Sequence, residues 1–202
     1  MATRGTFQSS VRTMLRDQLL DAARDLLIHG GWSQVRMADV AREVGVSRQT
    51  VYNEFGTKEG LGEAVALREA DRFLLGISER LDEHTDNLAE AIRAAVAFTL
   101  SAAADNPVLK AVLTATRGGA DELLPFFTTR SEPILNAAVV LLLDYLDSHW
   151  PDLDLSPDHR RFVLESIVRL VISHLVMPLA PPDEIARQLA WLAGRVIDFP
   201  QR

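Results

Sequence analysis

The chain has 202 residues, of which 48% are hydrophobic and 24% are charged, a balance typical of a folded globular protein. It contains no cysteine, which excludes disulfides, thiolate nucleophiles and cysteine-ligated metals. The apolar runs are too short to span a membrane, and residues 1–16 lack the apolar segment of a signal peptide. We therefore expect a cytoplasmic protein with no membrane partner.

The first predicted element is a helix from about Val11 to His29, which a pair of glycines ends. A second helix begins at Met37, where Val40 and Val44 lie four residues apart on one face. Small Ala41 beside them leaves room for another helix to approach closely. The sequence therefore predicts a helix whose apolar face packs against the helix that follows it.

A tight turn and a third short helix follow. Gly45 is suited to the left-handed conformation that such a turn needs, and Ser47 is suited to cap the next helix by accepting from the backbone N–H of Thr50. Val51 and Phe55, four residues apart, then point back toward the second helix. The stretch from Met37 to Phe55 is predicted to be a helix-turn-helix.

Polar side chains cover the outward face of the third helix. They are Arg48, Gln49, Thr50, Tyr52 and Asn53. Arg and Gln near a helix N-terminus can make bidentate contacts to guanine or adenine edges in a major groove, while Thr and Tyr hydroxyls can donate to phosphates. An ordinary solvated helix would also carry polar residues. The polar face indicates DNA binding only together with the whole pattern from Met37 to Phe55.

The chain resembles the TetR family of bacterial transcriptional regulators. The resemblance is carried by LLDAARDLLIHGGW (Leu19 to Trp32) and by MADVAREVGVSRQTVYNEFGTKEGL (Met37 to Leu61), which together cover roughly the first third of the chain. It implies an all-helical fold, a DNA-binding head, a ligand-binding body and a homodimer on double-stranded DNA.

The resemblance also implies two kinds of DNA contact. The residues expected to reach bases or the neighbouring backbone are Arg48, Gln49, Thr50 and Asn53. Tyr52 and Lys58 are expected to contact phosphates. Arg36 departs from the family pattern, since it stands where a Thr or Ser usually caps the second helix, although its side chain is long enough to reach a phosphate.

The net charge of −7 is unevenly distributed. Residues 1–67 contain eight Lys or Arg and eight Asp or Glu, so the whole negative excess lies in the rest of the chain. The charged residues within 1–16 are all basic, which is compatible with a flexible arm over residues 1–14 that follows phosphates or enters a minor groove. A disordered terminus explains the same stretch equally well.

The remainder of the chain predicts helices only. After Thr57, which is suited to cap a long helix to about Leu81, caps and prolines predict helices over 88–104, 107–116, 131–149, 156–176 and 183–198, with a short helical turn at 123–127. With the head this makes about nine helices, divided into a domain of residues 1–60 and a ligand-binding and dimerisation domain of residues 61–202.

The last two long helices carry more apolar residues than the outside of one small body needs. The family resemblance implies that they form a four-helix dimer interface through Val163, Ile167, Leu170, Leu189, Leu192 and Val196. A dimer also suits DNA recognition, because one short helix reads only a few base pairs. Closure of the monomer core is the other interpretation of these side chains.

In the resembling family the body holds a small-molecule cavity. The expected lining residues here are Phe73, Phe98, Thr99, Leu113, Phe127 and Tyr145, which favour an apolar or amphipathic ligand. For any single one of these residues, a place in the ordinary core is the favoured interpretation. Arg169 has two interpretations, as a site for a ligand carboxylate or as the partner of Glu165 four residues earlier.

No catalytic motif is present, so we expect no enzyme activity and no cofactor. A metal site at His149, Asp152, Asp154 and His159 is less well supported than a simple connection between helices, because prolines and Ser156 explain that segment. The sequence thus predicts a homodimeric one-component repressor that a small apolar effector releases from a palindromic operator. The alternative is a helical carrier protein in which the helix-turn-helix segment is structural.

Overall fold

The computed structural model describes residues 3–106, 109 and 131–197, which form eight α-helices and one short 3₁₀ helix, without a β-strand. The α-helices are α1 (Thr3–Gly30), α2 (Met37–Val44), α3 (Arg48–Phe55), α4 (Lys58–Asp82), α5 (Leu88–Asp105), α6 (Ser131–His149), α7 (Pro157–Val176) and α8 (Pro182–Ile197). The predicted all-α class is confirmed. The predicted helices over 107–116 and 123–127 lie outside the described residues.

The described residues divide into two compact units, one ending at Glu69 and the other beginning at Ala70. The first unit holds α1, the 3₁₀ helix Trp32–Gln34, α2 and α3. The second holds α5 to α8, and α4 supplies residues to both.

Helix α1 begins at Thr3, eight residues before the predicted start at Val11. Residues 3–14, over which the sequence suggested a flexible basic arm, are therefore part of a helix. The sequence contains no proline in this stretch, so nothing interrupts the helical hydrogen bonds toward the N-terminus. Arg12 and Arg16, one turn apart, both bond to Glu54 of α3.

The turn between α2 and α3 has the predicted geometry. Gly45 adopts φ 75° and ψ 30°, and Ser47 Oγ accepts from the backbone N–H of Thr50 at 3.1 Å. Val40 and Val51 are fully buried between the two helices. The left-handed turn and the serine cap thus place α3 across α2 with its polar face outward.

Ion pairs join α1 to α4 within the first unit. Glu69 is buried and accepts from Arg24 Nε at 2.8 Å, and Arg68 Nη2 lies 2.7 Å from Asp21 of α1. A buried carboxylate needs such a partner, because an unpaired charge in an apolar interior is strongly unfavourable. The pairs therefore fix how the first half of α4 lies on α1.

The second unit is a helical bundle in which the starts of α5 and α7 coincide with capping residues of the sequence. Asn87 accepts from the backbone of Glu90 at the start of α5, and Ser156 accepts from that of His159 at the start of α7. Helix α8 packs on α5 and α7, while α6 packs on α7. The buried core of the second unit includes Phe73, Ile77, Leu81, Ala91, Leu100, Tyr145, Val171, Ile185 and Leu189.

Candidate functional site

The outward face of α3 presents the predicted polar residues as two side-chain pairs. Arg48 Nη2 donates to the Tyr52 hydroxyl at 2.9 Å, and its guanidinium lies 5.1 Å from the centre of the Tyr52 ring. Gln49 Nε2 donates to Asn53 Oδ1 at 2.9 Å. Arg48, Gln49 and Asn53 are exposed, so the helix offers donors and acceptors in a defined arrangement.

Of the three remaining predicted contacts, Lys58 and Arg36 flank α3 and Thr50 lies within it. Lys58, in the first turn of α4, lies over the Trp32 ring and 3.4 Å from the Ser33 carbonyl. Arg36 is the N-cap residue of α2 but makes no side-chain cap bond, in agreement with its departure from the family pattern, and it is exposed. Thr50 is half-buried, and its Oγ1 lies 2.9 Å from Ser47 Oγ.

Glu54 anchors α3 from the opposite face, and sequence reasoning missed it. Its carboxylate accepts from Arg12 Nε at 3.0 Å and from Arg16 Nη1 at 2.9 Å, while the Arg16 guanidinium also covers Phe55 at 4.8 Å. Burial raises the pKa of Glu54, but the hydrogen bonds and charges of the two arginines outweigh this and hold it below the ordinary 4.5. These contacts span 42 and 38 residues, so no local pattern predicts them.

The second unit contains a cavity of about 120 Å³, measured as the space open to the centre of a water-sized sphere. Hydrocarbon side chains from α4 to α8 form nearly all of the wall that the described residues supply. Among the described residues, the lining includes three polar side chains, those of Thr99, Tyr145 and Arg160. The cavity is thus suited to an apolar group.

The structure places the predicted cavity residues in different environments. Phe73, Thr99 and Tyr145 line the cavity, whereas Phe98 lies behind the wall and stacks on Phe73 at 5.9 Å. Leu113 and Phe127 lie outside the described residues.

Arg169 does not belong to the described wall of the cavity, which corrects the ligand-binding assignment. Its side chain is 69% exposed and pairs with Glu165 at 3.2 Å, so the ion-pair interpretation holds. Because α7 turns by about 100° per residue, Arg169 follows Ile167 and Val168 around to the solvent side of the helix.

Arg160 is a wall residue that sequence reasoning missed. Its guanidinium donates to the carbonyls of Pro151, Leu153 and Leu155 and to the Asp147 carboxylate. It therefore holds the connection between α6 and α7 in a closed loop. The carboxylates and histidines of this connection do not converge, and no group of three metal-binding side chains forms anywhere in the described part of the chain.

The predicted dimer residues separate into two groups. Val163 and Ile167 line the cavity and Leu189 is buried in the core, so these three do not belong to an outer face. Leu170, Leu192 and Val196 are 36–37% exposed. Two large aromatic residues that the sequence analysis did not select are more exposed, Phe162 on α7 at 66% and Trp191 on α8 at 64%.

The phenol of Tyr145 donates to the Leu81 carbonyl in the last turn of α4. Burial, and then the nearby charge of Asp82, raise the pKa of Tyr145, so the hydroxyl remains a proton donor at neutral pH. Its ring packs on His149 at 4.4 Å and on Trp150 at 5.5 Å. This wall residue thus joins α6 to α4 within the second unit.

These features define the class of protein. A glycine turn and a serine cap present a short polar helix in the first unit, and the second unit encloses an apolar cavity. Such a combination is that of a helix-turn-helix DNA-binding protein with a small-molecule binding body. No helix in the described ranges is long and apolar enough to cross a membrane.

Comparison with known proteins identifies the family. Residues 19–65 match the model for bacterial regulatory proteins of the tetR family, and residues 87–195 match that for the C-terminal domain of the bacterial Tetracyclin repressor. The HTH-type transcriptional regulator AlkX of Mycobacterium tuberculosis is 35% identical over 186 residues, which cover 92% of this chain and 86% of that protein. The chain therefore belongs to the TetR family of DNA-binding transcriptional regulators, as the sequence resemblance predicted.

Solved structures agree with this assignment. The TetR family repressor AlkX from Dietzia sp. strain DQ12-45-1b, implicated in biodegradation of n-alkanes, is 28% identical with a TM-score of 0.67, covering 89% of this chain and 96% of that one. FadR from Bacillus subtilis, solved in complex with stearoyl-CoA, is 17% identical with a TM-score of 0.58, covering 91% and 98%. The second likeness is one of fold alone.

Proposed function

We propose that this protein is a homodimeric, one-component repressor that acts on DNA in the cytoplasm. Two copies of α3 enter major grooves on one side of a palindromic operator. The observation that carries the proposal is the exposed face of α3, where Arg48, Gln49 and Asn53 stand clear of the core on a helix capped by Ser47. Arg to guanine and Gln or Asn to adenine are the pairings that such a face makes.

The effector in this proposal is an apolar or amphipathic small molecule that binds the cavity of the second unit. The almost wholly hydrocarbon wall supports this class. The Dietzia repressor points the same way, since it is implicated in biodegradation of n-alkanes. A ligand releases DNA only to the extent that it binds the released conformation more tightly than the DNA-bound one.

The family resemblance and the Dietzia repressor support the proposal that this protein represses transcription and does not activate it. Chromosomal deletion of the gene tests it directly. Transcripts next to the bound sites rise in the deletion strain if the protein represses them, and they fall if it activates them.

The experiment that tests DNA recognition is a selection of genomic fragments by the purified protein, repeated with Arg48, Gln49 and Tyr52 all changed to Ala. We expect the wild type to enrich a palindrome whose half-sites lie a whole number of helical turns apart, and the triple variant to lose this enrichment. The matched control is Arg80→Ala combined with Arg93→Ala, which removes two partly exposed arginines from α4 and α5 and leaves α3 and the outer face of α7 intact.

A carrier protein with a structural helix-turn-helix would behave differently. Its wild type and triple variant would retain the same fragments weakly and without sequence preference. That result would contradict the proposed function, because phosphate attraction alone carries no sequence information.

A further inference from the structure

The described residues of the cavity wall offer few polar partners to a ligand. Of the lining side chains in the described part of the second unit, all except Thr99, Tyr145 and Arg160 are hydrocarbon. A ligand carboxylate or phosphate would need donors or positive charge from these three, because an unpaired charge in such surroundings is strongly unfavourable.

The two hydroxyl groups already donate to the protein. Thr99 Oγ1 donates to the Ala95 carbonyl at 2.8 Å, within its own helix, and the Tyr145 hydroxyl donates to the Leu81 carbonyl. A hydroxyl has a single proton to donate, so neither group is left to bind an anion without breaking an existing bond.

Arg160 is committed in the same way. Four donations, to three loop carbonyls and to Asp147, occupy four of the five N–H groups of its guanidinium. The Asp147 carboxylate, 2.7 Å from Nη1, also neutralises its charge. Its alkyl stem contributes apolar surface to the wall, which is a common role for a buried arginine side chain.

We infer that the wall formed by the described residues of the second unit selects its ligand through an uncharged hydrocarbon chain and binds no charged head group. A carboxylate, if the ligand has one, lies outside the described wall. Selectivity then follows the length of the buried chain, since each methylene removed from water adds about the same increment of affinity, roughly fourfold. This inference rests on the proposed function for its regulatory meaning, but it concerns binding alone.

The test compares ligands that share a chain and differ at its end. Octanol, decanol and dodecanol are titrated into the purified full-length protein beside the corresponding alkanoates, each below its micellar concentration. Displacement of a polarity-sensitive naphthalene dye reports binding. We expect about fourfold tighter binding per added methylene, and affinities of alcohol and alkanoate that agree within about threefold at each length.

Variants assign the signal to the cavity. Ile167→Trp fills part of the cavity and should weaken every ligand more than about tenfold, whereas Leu75→Trp, at a 65% exposed position of α4, should leave binding unchanged. Thr99→Val and Tyr145→Phe remove the two hydroxyls, and both should keep the ratio of alcohol to alkanoate affinity. If Ile167→Trp does not fold, the ligand series on the wild type still decides the matter.

Two outcomes would overturn the inference. One is an alkanoate that binds more than about tenfold tighter than its alcohol, as a charge-assisted hydrogen bond would produce. The other is the absence of binding by any chain. Operator binding by the same preparation is measured separately, so a protein that reads DNA but prefers carboxylates refutes the head-group inference and leaves the regulator proposal intact.

Discussion

Glu54 lies on α3 and accepts hydrogen bonds from α1. Its two arginine partners come from successive turns of α1, so one carboxylate fixes the rotation of α3 about its own axis. The polar face of α3 depends on that rotation, because a turn of one residue would move Arg48 by about 100° around the helix.

We expect Glu54→Gln to destabilise the first unit by about 1 kcal/mol at neutral pH. Arg12 and Arg16 are substantially exposed, which keeps the contribution at this modest level. The pKa of Glu54 is lower in the folded protein than in the unfolded chain, so its stabilisation is fully present above pH 4.5 and is lost as the pH falls through the lowered pKa. Urea unfolding of both proteins at pH 7 and below pH 4 measures this difference.

The control for this prediction is Asp25→Asn. Asp25 is exposed and lies 3.8 Å from Arg24, so its replacement should change the unfolding free energy little at either pH. A Glu54→Gln protein whose deficit persists unchanged at acid pH would show that the amide disturbs packing, and that the charge of Glu54 contributes nothing.

Single residues were predictable where their role is local. Gly45 and Ser47 act within three residues of themselves, and the structure gives both the predicted conformations. Glu54 was not predictable, because its partners lie more than thirty residues away and its environment depends on how α1 crosses α3. The role of Arg160 was not predictable for a related reason, since its partners are carbonyls of a loop whose path the sequence does not reveal.

Helix α4 approaches the 3₁₀ helix closely at Gly62. A methyl group added there would lie 2.6 and 2.9 Å from two ring carbons of Trp32, which is itself buried. Real side chains do not tolerate such distances, and a tryptophan ring wedged between helices has little freedom to move. The absence of a side chain at residue 62 is therefore what lets α4 cover Trp32.

We expect Gly62→Ala to lower the stability of the first unit by about 1–2 kcal/mol. Overpacking costs up to about 3 kcal/mol, and the better helix propensity of alanine offsets about 1 kcal/mol of it. Equilibrium denaturation followed by Trp32 fluorescence measures the change, after Trp150 and Trp191 have been replaced by Phe.

Gly194→Ala is the matched control, since an added methyl group in α8 meets nothing within 4 Å. This change should stabilise the protein by about 0.5–1 kcal/mol. Equal effects at positions 62 and 194 would contradict the close approach of Trp32.

Whole helices were predicted well, but their faces were not. Apolar residues occur nearly all around α7, so periodicity alone did not separate Val163 and Ile167, which face the cavity, from Phe162 and Leu170, which face outward. The orientation of such a helix depends on its neighbours, and the same limit applies to Leu189 of α8.

At the scale of the whole molecule, the outer faces of α7 and α8 expose large apolar side chains that the single chain leaves in contact with water. Phe162 and Trp191 are each about two-thirds exposed, and the Arg195 guanidinium lies 5.7 Å from the centre of the Trp191 ring. Tryptophan and arginine are the residues that most often dominate the energetics of an interface. These two faces are where we propose that the second copy binds.

The double change of Phe162 and Trp191 to Glu should weaken the dimer at least roughly thirtyfold, as the loss of about 2 kcal/mol at an interface centre implies. Sedimentation velocity over a range of protein concentrations measures this shift. Leu75→Glu, at a comparably exposed apolar position of α4, should leave the association unchanged.

A double variant that still sediments as a dimer, with its helical content intact, would place the interface elsewhere. The operator pattern supplies an independent check. A monomeric variant should retain weak binding to single half-sites and lose its preference for the palindrome.

The hydrocarbon wall of the cavity gives it the solvent properties of a bilayer interior. A hydrocarbon chain that leaves water gains about 0.8 kcal/mol per methylene in either place. A longer ligand therefore binds the cavity and partitions into the membrane more strongly by the same factor. Under the proposed function, the regulator would therefore compete with the membrane for its effector. Its threshold would then correspond to a mole fraction of effector in the lipid, because the membrane and the cavity draw on the same dissolved pool.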